Sequence, residues 1–144
     1  MNKLLILALL LVFICCDTPT TPPKPVADVQ IAAQGDLTFY YAPLTNEWVA
    51  CFDVIVTESR GVGGRVAMCY LGFVKNGVDT GSDVFQGGVF SPCGALKIPC
   101  PASAGGSIFD LMNITITGMD DNGTSFSVGI EYKYVLINGN LEVR

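Results

Sequence analysis

Histidine does not occur anywhere in the 144 residues. Its absence removes the Ser-His-Asp and Cys-His routes to an activated nucleophile, the imidazole general base, and nearly every transition-metal site of the usual composition. Basic residues are scarce as well. Eight Lys and Arg stand against thirteen Asp and Glu, for a net charge of −5. Gripping a polyphosphate backbone takes clustered Lys and Arg, so the charge balance argues against nucleic acid as a partner. Charged residues are only 15% of the chain and hydrophobic ones 50%, which excludes a disordered chain. The longest apolar run falls short of the ~17 residues a helix needs to cross a bilayer. What remains is a chain long enough for one domain with a core, and its sixteen glycines point to many turns between short strands.

That longest run, Leu4 to Ile14, comes directly after Lys3. At about eleven residues it fits the ~7 to 15 of a signal h-region, and it has no polar face with which to pack as an ordinary amphipathic helix. It ends in Phe13-Ile14-Cys15-Cys16-Asp17, which resembles a bacterial lipobox, where a small residue precedes the cysteine that receives the lipid. The resemblance implies lipid attachment at Cys16. Two positions depart from the pattern: Phe13 stands where Leu is preferred, and Cys15 where Gly, Ala or Ser is usual. Choosing Cys15 as the acceptor fits worse, because Ile14 would then fill the small-residue position. An ordinary secretory signal cut nearby is the alternative. Thr18 to Val26, Thr-Pro-Thr-Thr-Pro-Pro-Lys-Pro-Val, favours an extended polyproline II spacer that cannot pack a core. The expected organisation is therefore a signal peptide over 1–15, a lipid-attachment cysteine with a Pro-rich tether over 16–27, and one folded domain over 28–144. The expected address is the bacterial cell envelope, lipid-anchored, with secretion as the alternative.

Within the folded part, strand-like runs alternate with Gly, Asn and Asp clusters: Asp28–Ala33, Leu37–Tyr41, Glu47–Glu58, Arg65–Val74, Val84–Phe90, Phe109–Gly118 and Thr124–Ile137. This predicts an all-β antiparallel sandwich of about seven strands. In the last hairpin Phe126, Val128, Ile130, Tyr132, Tyr134 and Leu136 alternate with Ser125, Ser127, Gly129, Glu131, Lys133 and Val135, and Met112, Ile114 and Ile116 share one face of its partner. Asp120-Asp121-Asn122-Gly123 joins the two and suits a type I turn with Gly123 left-handed as a bulge. The acidic turn does not have the alternate carboxylates and distal Glu of an EF-hand loop. Along Trp48 to Glu58 the core face is Trp48, Phe52, Val54 and Val56.

Trp48, the Phe52-x-Val54-x-Val56-x-Glu58 strand, Gly61-Val62-Gly63 and the closing Thr117-Gly118-x-Asp120-x-Asn122-Gly123 are similar to small immunoglobulin-like or fibronectin type III-like sandwich modules of bacterial lipoproteins. The likeness spans roughly Trp48 to Ile137 and rests on strand and turn patterns. It implies a fold and a binding or display role, with no reaction and no cofactor. Gly61-x-Gly63-Gly64 is not a dinucleotide loop, because Arg65 to Leu71 reads as a strand instead of a helix.

Cys51, Cys69, Cys93 and Cys100 remain after the signal, an even number, and in an exported chain disulfides are the natural expectation. Cys93 and Cys100 flank a short segment with turn-formers at both ends, so a local clip is the simplest pairing, leaving Cys51 with Cys69. Cys51 shares a strand face with Asp53, however, and two free, half-buried thiols are the alternative to that second bridge. No Cys-x-x-Cys pair suggests zinc.

The function these features favour is a non-enzymatic cell-envelope binding or structural module on a lipid tether. Its partners would be the membrane, through the N-terminal lipid, and an envelope protein or glycan reached by loop tips or a sheet face. Asn76 to Pro92 is a candidate surface, although Phe85 and Phe90 within it read as core. The alternatives are a carboxylate-based hydrolase drawing on Asp53, Glu58, Asp110 or Glu131, and an inhibitor presenting the loop from Cys93 to Cys100.

Overall fold

The computed structural model describes residues 22–144. The signal segment, Cys15 and Cys16 lie outside the described residues. Nine strands succeed one another: β1 Val29–Ala42, β2 Glu47–Glu58, β3 Gly64–Lys75, β4 Val78–Gln86, β5 Val89–Phe90, β6 Ala95–Gly105, β7 Leu111–Asp120, β8 Ser125–Ile137 and β9 Asn140–Val143. Every pairing is antiparallel, in the order β4-β3-β7-β8-β9-β1-β2-β6, with β5 also on β3. The all-β antiparallel class is as expected from the alternation. The count of about seven strands is exceeded: nine strands form one nearly closed, barrel-like sheet.

Three local features produce the difference. The two runs expected at residues 28–33 and 37–41 are one strand, β1, whose register slips between Asp36 and Tyr40. There the Asp36 carboxylate accepts hydrogen bonds from Thr38 N–H (2.9 Å) and the Tyr40 hydroxyl (2.9 Å). Beyond the slip β1 still pairs with β2, through Tyr40 to Ala42, while its other edge takes up β9 with Phe39 opposite Leu141, in the way a bulge bends a strand. The second feature is β6. Its Pro99 and Pro101 lie opposite Asp53 and Cys51 of β2, and β6 ends the strand order, where a missing N–H is tolerated. The third is a pair of Asn-Gly turns. Asn76-Gly77 (φ 51° and 78°) and Asn138-Gly139 (φ 51° and 84°) hold two consecutive residues left-handed, the geometry of the tight hairpins that join β3 to β4 and β8 to β9.

The two end strands of the order, β4 and β6, meet at a seam where Ser103 N–H donates to the Asp83 carboxylate (2.6 Å). Inside, period-two alternation delivers Val54 and Val56 from β2, Leu71 and Phe73 from β3, and Met112, Ile114 and Ile116 from β7, all with no more than traces of exposure. Trp48 and Phe52 are buried with them, and Phe90 is core while Phe85 packs against it. One end of the interior is aromatic. Phe39 meets Phe73, Phe109 and Tyr134 edge to face, with centroids 5.7, 5.0 and 5.6 Å away, an arrangement that adds to simple area burial. Among the described residues no helix is long and apolar enough to cross a membrane.

Candidate functional site

Because every strand reverses direction, the barrel has two poles. The chain enters at one of them, beside the connections 59–63, 87–94 and 121–124. Two buried carboxylates organise that pole. Glu58 accepts from five backbone N–H groups: Arg60 (2.7 Å), Cys93 (2.9 Å), Gly61 (3.0 Å), Val62 (3.1 Å) and Asp28 (3.4 Å). Burial alone would raise its pKa; the backbone donors outweigh burial and hold it below the ordinary 4.5. Asp120 accepts from Thr124 (2.8 Å), Asn122 (3.0 Å) and Ala27 (3.2 Å). The Thr124 donor first, against burial, holds its pKa below 3.8. Asn122 Nδ2 donates to the Pro25 carbonyl at 2.8 Å. The end of the Pro-rich segment is thus clasped to the barrel through Pro25, Ala27 and Asp28. In the adjoining turn Gly123 has a φ of 84° and its N–H donates to the Asp120 carbonyl (3.0 Å).

At the opposite pole four connections form the rim: 43–46, 76–77, 106–110 and 138–139. On or beside each stands one exposed branched aliphatic side chain: Leu44 at 100% exposure, Val78 at 66%, Ile137 at 41% and Ile108 at 37%. The turns beneath them are held by short polar contacts. Tyr41 OH donates to Asn46 Oδ1 (2.6 Å), Asn76 N–H donates to the Asp110 carboxylate (3.0 Å), and Asp110 N–H donates to the Val74 carbonyl (2.9 Å). Tyr41 also lies over Trp48, with ring centroids 5.3 Å apart. Aliphatic tips held out by ordered turns lose hydration when a partner covers them, which favours association without further chemistry.

A concavity of about 540 Å³ lies on the outer face near the pole that holds Pro25 to Asp28, between Arg65, Ala67, Gly118, Met119 and Phe126. Its floor is glycine for a steric reason: a Cβ on Gly118 would collide with the Arg65 carbonyl and the Phe126 ring. The walls carry one cation and no carboxylate, so the groove offers contact area and little reactivity.

The four carboxylates considered for hydrolysis occupy separate places. Glu58 is consumed by backbone donors. Asp53 pairs with Lys97 at 2.6 Å on the outside of β2, Asp110 caps a rim turn, and Glu131 is exposed on β8. Neither expected cysteine pair is brought together. Residues 95–100 are extended in β6, and at a rise of ~3.3 Å per residue Cys100 lies well over 10 Å from Cys93, beyond the ~7 Å that a disulfide spans between Cα atoms. Cys51 points outward and Cys69 inward, and all four thiols are free. The segment from Cys93 to Cys100, the loop of the alternative inhibitor reading, is largely strand. Among the described residues no group of three or more His, Cys, Asp or Glu is placed to hold a metal ion.

No family model matches the chain and no curated protein matches it. Two solved structures are similar in fold. One is the putative ApaA protein from Bordetella pertussis, with a TM-score of 0.55 at 14% identity, covering 82% of this chain and 97% of that one. The other is the X-ray structure of the structural genomics target SoR45, with a TM-score of 0.50 at 10% identity, covering 73% and 84%. Neither is named as an immunoglobulin-like or fibronectin module, and at these identities the likeness concerns architecture alone.

Proposed function

We propose that the chain is a non-enzymatic module of the cell envelope, held to a membrane by acyl chains on Cys16, that presents its distal rim to an envelope protein. The observation that carries the reading is polarity. The Pro-rich segment joins one pole through Pro25, Ala27 and Asp28, and Leu44, Val78, Ile108 and Ile137 stand exposed at the other. A spacer of extended prolines would hold that rim away from the bilayer. Charge is too sparse at these tips to attract a polyanion, and the aliphatic quartet suits a protein surface better than a glycan, which asks for aromatic platforms and hydrogen bonds. We also read the barrel as a relative of the immunoglobulin-like sandwiches. β8 pairs with β7 over its first part and with β9 over its last, so it crosses between a β4-β3-β7 face and a β6-β2-β1-β9 face, which supports that reading.

The test is site-specific photo-crosslinking in intact cells with the full chain. A benzophenone side chain at Leu44 should give one discrete adduct with an envelope protein, lost when Val78, Ile108 and Ile137 are changed together to Asp. The same group at Ser127, on the outer sheet face, should give none. Adducts from Ser127 and none from Leu44 would move the site to the sheet face and overturn the rim assignment.

A further inference from the structure

β9 lies in a gap between β8 and β1, pairing with Tyr134 to Ile137 on one side and with Phe39 and Tyr40 on the other. It is only four residues long, and the gap runs on beyond it toward the opposite pole. Among the described residues, Val29 to Asp36 of β1 pair with β2 alone and Ser125 to Lys133 of β8 with β7 alone. Two strand edges thus face each other unpaired. The gap ends where Ala27 N–H and Asn122 Nδ2 link the entering chain to the β7–β8 turn. Within it, side chains stand in for a missing strand: Tyr132 OH accepts from Ala33 N–H (3.2 Å), and Tyr134 OH donates to the Leu37 carbonyl (3.0 Å). Backbone groups alternate sides along a strand, so Ala33 places Ile31 on the same free edge. The Lys133 carbonyl, which accepts from Arg144 N–H (2.9 Å), likewise places Gly129 and Glu131. The inward side chains show the lack of cover. Ile31, Ala33, Val128 and Ile130 pack on the core yet stay partly exposed, whereas Ile114 and Ile116 on neighbouring β7 have no exposed surface.

The other pair of facing edges, at the β4–β6 seam, is defended. Ser103 N–H points from β6 toward β4, where the Asp83 carboxylate meets it. On the same side of β6 stand Pro101 and Pro99, which offer no N–H. Proline and an inward charge are common defences of an edge against a further strand. The β1–β8 gap has no proline in residues 29–36 or 125–132. We propose that this gap is a strand-acceptor site, which takes a short extended segment of a second polypeptide set in line with β9 and antiparallel to both edges. β9 itself shows that the gap accepts a strand in that direction. A strand lies ~4.8 Å from each neighbour, so a gap bridged by the length of a tyrosine has room for one. The walls define the occupant's chemistry. Its main chain pairs with the free groups of Ile31, Ala33, Gly129 and Glu131, and apolar side chains at alternate positions cover Ile31, Ala33, Val128 and Ile130. Its outward residues lie beside Asp36 and Glu131, and residues 29–36 and 125–132 include no Lys or Arg, which favours basic residues there. The occupied stretch of β8 runs from Tyr132 to Gly129, short of Ser127, and is separate from the aliphatic rim.

The full chain, solubilised in detergent, is titrated into the fluorescein-labelled peptide Lys-Val-Thr-Val-Lys-Val and the anisotropy is read. Saturable binding is expected. Replacing the peptide's Thr by Pro removes one ladder N–H and should weaken binding about tenfold. Replacing both Lys by Asp should weaken it several-fold at low salt and little at high salt. Tyr132→Phe withdraws the hydroxyl that now holds Ala33 N–H, and should bind the peptide about three- to tenfold tighter. Amide exchange at Ile31, Gly129 and Glu131, fast in the free protein, should slow about tenfold or more at saturation. No saturable binding, equal binding of the Pro-containing peptide, or protection at the rim in place of these amides would sink the proposal. Slow exchange at these amides without peptide, speeding up on dilution, would give the gap to a second copy of the chain and overturn it equally. The unaltered protein and the two peptides decide the matter even if Tyr132→Phe fails to fold.

Discussion

Truncating Phe39 should be among the most damaging single changes in the barrel. The side chain has no exposed surface and sits where β1 has just slipped register and turned to pair with Leu141 of β9. Removing a buried phenyl costs about 3 to 5 kcal/mol, combining lost transfer energy with the cavity left behind. The three edge-to-face contacts with Phe73, Phe109 and Tyr134 place Phe39→Ala at the upper end, since each aromatic pair adds ~0.5 to 1.5 kcal/mol beyond area. A domain of this size holds only ~5 to 15 kcal/mol in all, so the variant should lose a large share of its stability. Phe39→Leu retains most of the volume and should cost about 1 to 2 kcal/mol. Tyr40→Ala, one residue along and 48% exposed, should cost under ~1 kcal/mol. Urea unfolding read by tryptophan fluorescence measures all three, with unchanged slopes confirming that only stability has moved. A loss below ~1.5 kcal/mol for Phe39→Ala, or a Tyr40→Ala loss equal to it, would refute the aromatic end of the core as described.

Glu58 predicts a pH dependence. Its folded pKa is depressed, so its contribution is present above the unfolded value of about 4.5 and is lost as pH falls through the folded value. Unfolding titrations from about pH 7 to about pH 2 should show the wild type losing stability below about pH 4.5 more steeply than Glu58→Gln, and parallel curves would contradict the backbone clasp. A side chain at Gly123 meets nothing within 4 Å, so only its left-handed backbone resists substitution. Gly123→Val should cost about 1 to 2 kcal/mol and Gly123→Asn clearly less, and equal losses would point to some other cause. Asp83→Ala leaves Ser103 N–H unpartnered at the seam and should cost about 1 to 3 kcal/mol in the same urea assay, with no measurable change counting against a closed barrel.

Much of the fold is legible in the sequence because period-two alternation is strong where one face is buried. β2 begins and ends at Glu47 and Glu58 as its pattern suggests, and Phe126 to Tyr134 alternate along β8 as expected. β6 is hidden by Pro99 and Pro101, which read as loop formers and are tolerated because β6 ends the sheet. β9 is four residues long and carries almost no periodic signal. The Asn-Gly dipeptides at 76–77 and 138–139 mark two hairpins that strand patterns alone do not. The cysteines show the limit most clearly. Parity along the strands already puts Cys51 with Asp53 and Cys69 with Leu71, yet how far apart the cysteines stand depends on how the sheet curls, a long-range property. The rim quartet has a faint local signal, single aliphatic residues beside Pro43, Gly77, Ser107 and Asn138. Their gathering at one pole comes only from the strand order.

A lipid tether on Cys16 is the proposal that would orient the module, and the mature N-terminus tests it most directly. Mass spectrometry of the protein isolated from its own cells should find Cys16 as the first residue, carrying acyl chains, and cells fed labelled palmitate should incorporate it. Two or three chains, at ~0.8 kcal/mol for each buried methylene, suffice for stable residence in a membrane. Cys16→Ala should abolish the label, while Cys15→Ala should keep it. A wild-type protein that fractionates as soluble, with a free and unmodified N-terminus, would contradict the account and leave an ordinary secreted domain in its place.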